Sequence, residues 1–150
     1  VLKRLILLNK HYPMKHKLCN NISLSRNESS KFIENNDLLS GNFIEDNNRL
    51  WLVDWDYAGF NSPLFDLANL ASNNEYAEGL ERELLEMYFE NEVSDDLWKR
   101  YFAMKCASLL RESMWSMVSE IYSTLDFDYV QYTAENLERF ENTFAEFRNI

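Results

Sequence analysis

The sequence predicts an α+β fold that is mostly α-helical, with a small β-hairpin followed by a helical bundle. Two short apolar runs, at residues 43–44 and 50–53, flank the polar turn at residues 46–48, and this arrangement is typical of a hairpin. Beyond Pro63 the apolar residues recur at helical spacing for the rest of the chain. The 150 residues are 46% hydrophobic, which is sufficient for one compact domain with its own core.

The chain divides into a basic N-terminal segment and an acidic body. Residues 1–31 hold seven Lys and Arg side chains and one acidic side chain, Glu28. Residues 1–10 are predicted as a short helix or strand, and residues 11–31 as a polar loop. We therefore treat residues 1–31 as a poorly defined basic segment and residues 32–150 as the folded domain, in which a polar loop at residues 35–42 precedes the hairpin and another at residues 54–59 follows it.

Four helices are predicted after the hairpin. The first covers Leu64–Ser72 with Pro63 in its first turn, and the third begins after the capping residue Ser94. The second has one apolar face, and its acidic stretch at residues 78–92 is expected to face solvent. Apolar residues also form a stripe on each of the last two helices: Leu97, Tyr101, Met104, Leu110, Met114, Met117 and Ile121 on the third, and Leu137, Phe140, Phe144 and Phe147 on the fourth.

The charge of the chain disfavours nucleic acid as a partner. Lys and Arg total 15 and Asp and Glu total 25, a formal net charge of −10, whereas a phosphate backbone is bound by cations. An acidic surface favours a cationic substrate by electrostatic steering, although solubility alone explains it equally well. No apolar run reaches the roughly 18 residues that a transmembrane helix requires.

The cysteines and histidines form no metal-binding pattern. Cys19 and Cys106 lack the spacing of a metal site or a disulfide framework, and Cys106 is expected in the core on the third helix. His11 and His16 are five residues apart, which does not suit a metal pair on one helix face, so we expect them to be exposed. With no visible secretory signal, these features predict a reduced, cytoplasmic setting.

Hard oxygen ligands flank the predicted hairpin. Asn42 opens it five residues after Asp37, and Asp54 follows its second strand. Because a hairpin returns the chain to its starting end, we expect Asn42 and Asp54 to face each other near Asp37. Carboxylate and amide oxygens suit Mg²⁺, and a carboxylate free of metal can orient or deprotonate a hydroxyl, as phosphoryl transfer requires. Turn formation alone is the competing interpretation, since Asp and Asn are common turn residues.

Three sequence blocks in this region resemble the choline/ethanolamine kinase family. Residues 35–42 (NNDLLSGN) resemble its catalytic loop, His-Asn-Asp-Leu-x-x-x-Asn, residues 54–57 (DWDY) resemble its metal-binding segment, and residues 65–69 (FDLAN) resemble the segment that follows. The order and the intervals of the blocks match, and the resemblance extends over about residues 32–147. It implies the C-terminal lobe of the protein-kinase-like fold, which the family shares with aminoglycoside phosphotransferases.

The resemblance implies a role for each polar residue of these blocks. Asp37 is implied as the catalytic base that takes the proton of the acceptor hydroxyl, with ATP as co-substrate. Asn42 and Asp54 are implied as Mg²⁺ ligands, and Asp56 as a ligand of a second metal or of the substrate. The residues implied to support the catalytic loop are Asn35, Asn36 and Asp66.

The resemblance also implies a binding site for a small cationic amino alcohol, choline or ethanolamine. The family surrounds the quaternary ammonium of choline with aromatic faces, because a ring face attracts a cation that cannot donate hydrogen bonds. Trp115 and Tyr132 match two such residues, and Tyr57 is a candidate third wall; core or surface packing is the competing interpretation. Glu112 stands where animal choline kinases have a further tryptophan, and a carboxylate there either still meets a cation or favours a primary amine such as ethanolamine.

Two departures from the family pattern leave alternatives open. Asn35 occupies the position of the family's histidine, and residues 1–31 contain nothing that resembles the strands, the phosphate-covering loop or the lysine of the nucleotide-binding lobe. The resemblance therefore implies a C-terminal-lobe fragment that needs an N-terminal lobe or a partner chain to use ATP. The alternatives are a non-catalytic remnant or binding module of the same fold, or a kinase that acts on thiamine, an aminoglycoside or a sugar.

Overall fold

A computed structural model describes residues 32–46 and 49–150 of the chain, and it confirms the predicted mostly helical α+β fold. Two small antiparallel sheets lead into four helices. The strands are β1 (Phe32–Glu34), β2 (Phe43–Asp46), β3 (Arg49–Leu52) and β4 (Gly59–Asn61), and the helices are α1 (Pro63–Asn73), α2 (Glu78–Phe89), α3 (Asp95–Tyr122) and α4 (Tyr129–Phe147). The predictions for residues 1–31, including His11, His16 and Cys19, and for the turn residues 47–48 lie outside the described residues.

Strands β2 and β3 form the predicted hairpin. Phe43 is opposite Leu52, and Ile44 is opposite Trp51. Phe43 and Leu52 pack against the core, whereas the side chains of Ile44 and Trp51 are exposed. The hairpin thus buries one face, as a strand period of two residues requires.

Strands β1 and β4 form a second pair that the sequence analysis did not identify. Each strand has only three residues, which is too short to show alternation. Gly59 was expected in the loop after the hairpin, but it lies in β4 opposite Glu34 of β1. This pairing closes the base of the two loops that carry the candidate site, and the side-chain amide of Asn61 reinforces it by donating to Asn36 Oδ1 at 2.7 Å.

The helix starts follow the predicted capping signals. Pro63 is the first residue of α1, after the N-cap Ser62. The hydroxyl of Ser94 accepts a hydrogen bond from the backbone N–H of Leu97 at 3.2 Å, which caps α3 as expected. Asp128 caps α4 in the same way, with Oδ1 accepting from the backbone of Gln131 at 2.9 Å.

The core lies where α3 packs against α1 and α4. Its fully buried members include Ala68, Leu85 and Tyr101, and Trp98 stacks on Tyr101 with ring centroids 5.3 Å apart. Cys106 is buried in this cluster, as predicted. Although α3 has 28 residues, neither it nor any other helix of the described ranges is apolar enough to cross a bilayer.

The apolar stripe of α3 is only partly a core face. Tyr101 is buried, but Met114 is 57% exposed and Ile121 is 75% exposed. Beyond Glu112 the buried residues of α3 are the small Ser113 and Ser116, and Ser116 accepts a hydrogen bond from Thr133 of α4 at 2.9 Å. In this part of α3 the neighbouring helix α4 packs closely against the face with small polar residues. The apolar stripe lies on the other face and is exposed to solvent.

The prediction of a solvated acidic face on α2 is wrong at Glu81. This residue is 1% exposed, and its carboxylate forms an ion pair with Lys105 at 2.6 Å. Burial raises the pKa of the neighbouring Tyr101, and the charge of Glu81 raises it further. The sequence shows no sign of this because the partner cation lies on another helix.

Candidate active site

The loop formed by residues 35–42, here named the Asp37 loop, is hydrogen-bonded to side chains of helix α1. The Asp66 carboxylate, in the first turn of α1, accepts hydrogen bonds from the backbone N–H groups of Asn35 and Asn36, each at 2.8 Å. Asn69 Oδ1 accepts from the backbone of Leu38 at 2.6 Å. Asn36 has a φ of 64°, a left-handed conformation that asparagine tolerates better than most residues. Side chains of the third sequence block therefore set the shape of the first.

Asn35 joins the Asp37 loop to the loop that follows the hairpin. It is 1% exposed, its amide group donates to the backbone oxygen of Asp54 at 2.8 Å, and its Oδ1 accepts from the backbone of Asp37 at 3.1 Å. Asparagine thus satisfies buried backbone groups on both loops. This is the position at which the family motif has histidine.

The hairpin brings Asn42 and the segment before Asp54 together. The backbone of Val53 donates to the Asn42 carbonyl at 3.0 Å, and Asn42 Nδ2 donates to the backbone oxygen of Asp37 at 3.0 Å. The amide oxygen of Asn42 is left to accept a ligand. Asp54 is exposed, and Asp56 is exposed in the turn that follows.

These residues fit Mg²⁺ as a partial ligand set. Asn42 and Asp54 offer one amide and one carboxylate oxygen donor, and within the described ranges no group of three His, Cys, Asp or Glu side chains could hold a metal alone. Mg²⁺ commonly takes one or two protein oxygens and completes its shell with phosphate oxygens and water. The donors present therefore suit a metal that arrives with a nucleotide.

The carboxyl groups of Glu34 and Asp66 interact with each other at the start of the Asp37 loop. Burial raises the pKa of Glu34 to about 8, and the charge of Asp66 and a hydrogen bond to it add to the effect. Burial also raises the pKa of Asp66, against the lowering effect of the backbone donors of Asn35 and Asn36. Glu34 therefore holds its proton at neutral pH, and the pair carries less than two negative charges.

This pair makes the stability of the protein depend on pH. The pKa of Glu34 rises from 4.5 to about 8 on folding, so its contribution to the free energy of unfolding is full below about pH 4.5 and is lost as the pH rises towards 8. We expect Glu34→Gln, which keeps a donor without a charge, to match wild type near pH 4.5 and to exceed it by about 1–2 kcal/mol at pH 8. Urea unfolding at several pH values measures this difference.

The control for this prediction is Glu83→Gln on the exposed face of α2. It should leave the difference from wild type constant with pH. A constant difference for Glu34→Gln would contradict the assigned pKa of Glu34.

An aromatic cavity of about 280 Å³ opens between α3 and the start of α4. Its lining residues are Leu39, Glu112, Trp115, Leu125, Phe127, Tyr129 and Tyr132. Two of the three predicted acceptor residues, Trp115 and Tyr132, thus share one cavity. The third, Tyr57, is not among the lining residues; its ring lies 5.7 Å from the guanidinium carbon of Arg111.

The cavity combines ring faces with one carboxylate. Phe127 lies edge-on to Tyr129 and Tyr132, with ring centroids 4.9 and 5.6 Å away. Glu112 is 8% exposed, and its Oε1 accepts a hydrogen bond from the Tyr132 hydroxyl at 2.8 Å. Burial raises the pKa of Tyr132 to about 12, with the charge of Glu112 as a further cause, so this hydroxyl remains a donor. Sequence reasoning missed Phe127 and Tyr129, although they stand beside Tyr132 in one aromatic run.

Arg111 connects the cavity to the Asp37 loop. Its Nη2 lies 3.1 Å from Asp37 Oδ1 and 3.6 Å from Glu112 Oε2. The rings of Tyr57 and Phe65 lie 5.7 and 5.9 Å from the guanidinium carbon. Arg111 was not singled out from the sequence, because it is 74 residues from Asp37 along the chain and no local pattern marks it.

Comparisons with known proteins find similar sequences and folds among phosphotransferases. Residues 36–101 match the sequence model of the phosphotransferase enzyme family. The probable ethanolamine kinase A of Dictyostelium discoideum is 30% identical over 134 residues, which cover 77% of this chain and 38% of that protein. The crystal structure of a choline/ethanolamine kinase family protein from Mesorhizobium loti has a TM-score of 0.68 and 26% identity, and the match covers 75% of this chain and 38% of that one. The chain thus resembles the choline/ethanolamine kinases.

Another solved structure that is similar to this chain contains a bound nucleotide. The crystal structure of LicA in complex with AMP has a TM-score of 0.60 and 25% identity, over 77% of this chain and 41% of that chain. The chain spans 38–41% of the length of these three proteins. The phosphotransferase match includes Asp37, Asn42, Asp54 and Asp66 and ends before Trp115. The description of the cavity therefore depends on the structure and on the longer matches.

Proposed function

We propose that the chain is the acceptor-binding part of a phosphotransferase that moves the γ-phosphoryl group of ATP to the hydroxyl of choline or ethanolamine. The observation that carries the proposal is the pairing of Arg111 with both Asp37 and Glu112. One guanidinium nitrogen contacts a carboxylate of the predicted base and a carboxylate of the aromatic cavity. An amino alcohol in the cavity would therefore have its hydroxyl within reach of Asp37.

Asp37 is the proposed base of this reaction. Its Oδ1 is paired with Arg111, which leaves Oδ2 to accept the proton of the acceptor hydroxyl. The acceptor oxygen forms a bond to the γ-phosphorus, the bond from that phosphorus to the β-phosphate oxygen breaks, and ADP leaves. Asn42 and Asp54 would hold Mg²⁺, which neutralises phosphate oxygens when bound, and Asp56 is proposed as a second ligand of metal or substrate.

The cavity supports an amine as acceptor. Its rings attract a cation by about 0.5–2 kcal/mol per favourable contact, and this favours the quaternary ammonium of choline. Glu112 can accept hydrogen bonds from a primary ammonium, and this favours ethanolamine. Both acceptors belong to the proposal for this reason.

The nucleotide is proposed to bind partly outside the described residues. The resemblance implies a strand-rich lobe that covers the phosphates, and we propose an N-terminal lobe or a partner chain in that role. A second candidate function is an amine-binding module that does not transfer phosphate. The aromatic cavity with its buried Glu112 carboxylate, which lies entirely within the described residues, favours this candidate.

Two measurements on the chain test these candidates together. One follows the transfer of labelled phosphate from ATP, with Mg²⁺, to choline and to ethanolamine; the other follows amine binding by titration calorimetry. Both candidates predict amine binding. Transfer by the chain, alone or joined to a nucleotide-binding lobe, supports the kinase, and amine binding without transfer in either setting supports the binding module. If neither amine binds and no phosphate is transferred, both candidates fail.

Replacing Trp115 by alanine should weaken amine binding. The loss of one ring face predicts an increase in the dissociation constant for choline of about two- to thirtyfold, with little change in nucleotide affinity. Trp51→Ala is the matched control, because Trp51 is similarly exposed, 48% against 43% for Trp115, but lies on the hairpin. Equal effects of the two variants on choline binding would contradict the assignment of Trp115.

A further inference from the structure

Arg111 lies between two carboxylates that serve different parts of the site. The side chains of Asp37 and Glu112 are 16% and 10% exposed, and that of Arg111 is 32% exposed. Building on the proposed function, we infer that Arg111 is a specificity-determining residue that lowers the affinity of the cavity for primary amines by neutralising Glu112. It also positions Asp37 through the same guanidinium group.

The guanidinium has little freedom to leave this position. Tyr57 and Phe65 flank it, and Nη2 contacts both carboxylates. Its Nε is buried with no hydrogen-bond partner among the described residues, so the polar contacts of the guanidinium are those of Nη2 with the two carboxylates. The charge of Arg111 is therefore directed at Asp37 and Glu112.

The pairing affects the two classes of amine differently. A primary ammonium binds Glu112 best by donating hydrogen bonds to Oε2, and at that atom it competes with Arg111. A quaternary ammonium donates no hydrogen bond and depends on the ring faces, so Arg111 opposes it only through charge. Arg111 thereby shifts the preference of the cavity towards quaternary amines, against the effect of Glu112.

Removing the charge of Arg111 should tighten amine binding. We expect Arg111→Met to lower the dissociation constant for ethanolamine by about three- to tenfold and that for choline by about twofold. Arg111→Lys keeps the charge but not the planar group between the rings, so its gain for ethanolamine should be smaller than that of Arg111→Met. The gain for ethanolamine should shrink as salt is added, because part of it is electrostatic.

A double variant tests whether Glu112 carries the effect. Glu112→Gln alone should weaken ethanolamine binding, and Arg111→Met combined with Glu112→Gln should show no gain over Glu112→Gln. Arg100→Met is the matched control, because Arg100 lies on the same helix and its side chain is 61% exposed. All dissociation constants come from titration calorimetry on the chain, with thermal melts to check folding.

The outcomes separate this inference from the proposed function. If Arg111→Met leaves ethanolamine binding unchanged or weaker while wild type binds amines, the inference is overturned and the proposed function stands. A gain that persists in the double variant also overturns it. If wild type binds neither amine, the proposed function itself fails. Should Arg111→Met not fold, Arg111→Gln replaces it in the same comparison with Arg111→Lys.

Discussion

Replacing Asp37 by asparagine is expected to lower phosphoryl transfer by about two to four orders of magnitude. The asparagine side chain keeps the size and one oxygen, but it cannot take the proton of the acceptor hydroxyl. The ion pair with Arg111, at 3.1 Å, is lost as well. The side chain at position 37 is then held less firmly for its contact with the acceptor hydroxyl. The initial rate of transfer from ATP to choline and to ethanolamine, compared with wild type in an active, full-length context, measures the effect.

The control for Asp37→Asn is Asp46→Asn at the end of β2. Asp46 is exposed and lies opposite Arg49 at the turn end of the hairpin, whereas Asn42 at the other end contacts Asp37. The loss of the Asp46 charge should therefore leave the rate unchanged. A variant at Asp37 that folds normally and retains more than about a tenth of the wild-type rate would contradict the role of Asp37 as base.

Replacing Asp66 by alanine should reduce the free energy of unfolding by about 2–4 kcal/mol. The carboxylate accepts two backbone hydrogen bonds at 2.8 Å, and it is 8% exposed. Its removal leaves the N–H groups of Asn35 and Asn36 without an acceptor, and each buried donor that loses its partner carries a penalty. Urea unfolding at neutral pH measures the change on the chain itself, without reference to activity.

Two further variants make the test of Asp66 specific. Asp66→Asn should be nearly as unstable as Asp66→Ala, because its amide nitrogen faces one of the two N–H donors. Asp126→Ala, at an exposed loop position, should change the free energy of unfolding by less than about 0.5 kcal/mol. A loss of that small size at Asp66 would show that the Asp37 loop does not depend on this carboxylate.

Much of the architecture follows from short-range patterns. The hairpin was predicted from two apolar runs around a polar turn, and the helix starts were predicted from Pro63 and Ser94. These features depend on residues within a few positions of each other, where backbone geometry and capping act. The three motif blocks were identified for the same reason, since each is a short run.

Other features depend on contacts between distant elements. The strands β1 and β4 are too short to show a period, and the buried state of Glu81 depends on Lys105 of another helix. The outer position of Met114 and Ile121 depends on which face of α3 the last helix covers. A periodic stripe identifies an amphipathic helix, but it does not say how far along the helix a partner extends.

The candidate site likewise combines features that follow from short-range patterns with features that depend on contacts between distant elements. The sequence by itself predicted the family resemblance, the mostly helical fold, and the residue types in the Asp37 loop and the aromatic cavity. Only the tertiary structure decided that Trp115, Tyr132 and Glu112 line one cavity, that Tyr57 lies against Arg111, and that Arg111 reaches Asp37. The physical reason is that charge pairing and cavity shape arise from side chains far apart in the chain, whose distances are set by helix packing and not by sequence spacing.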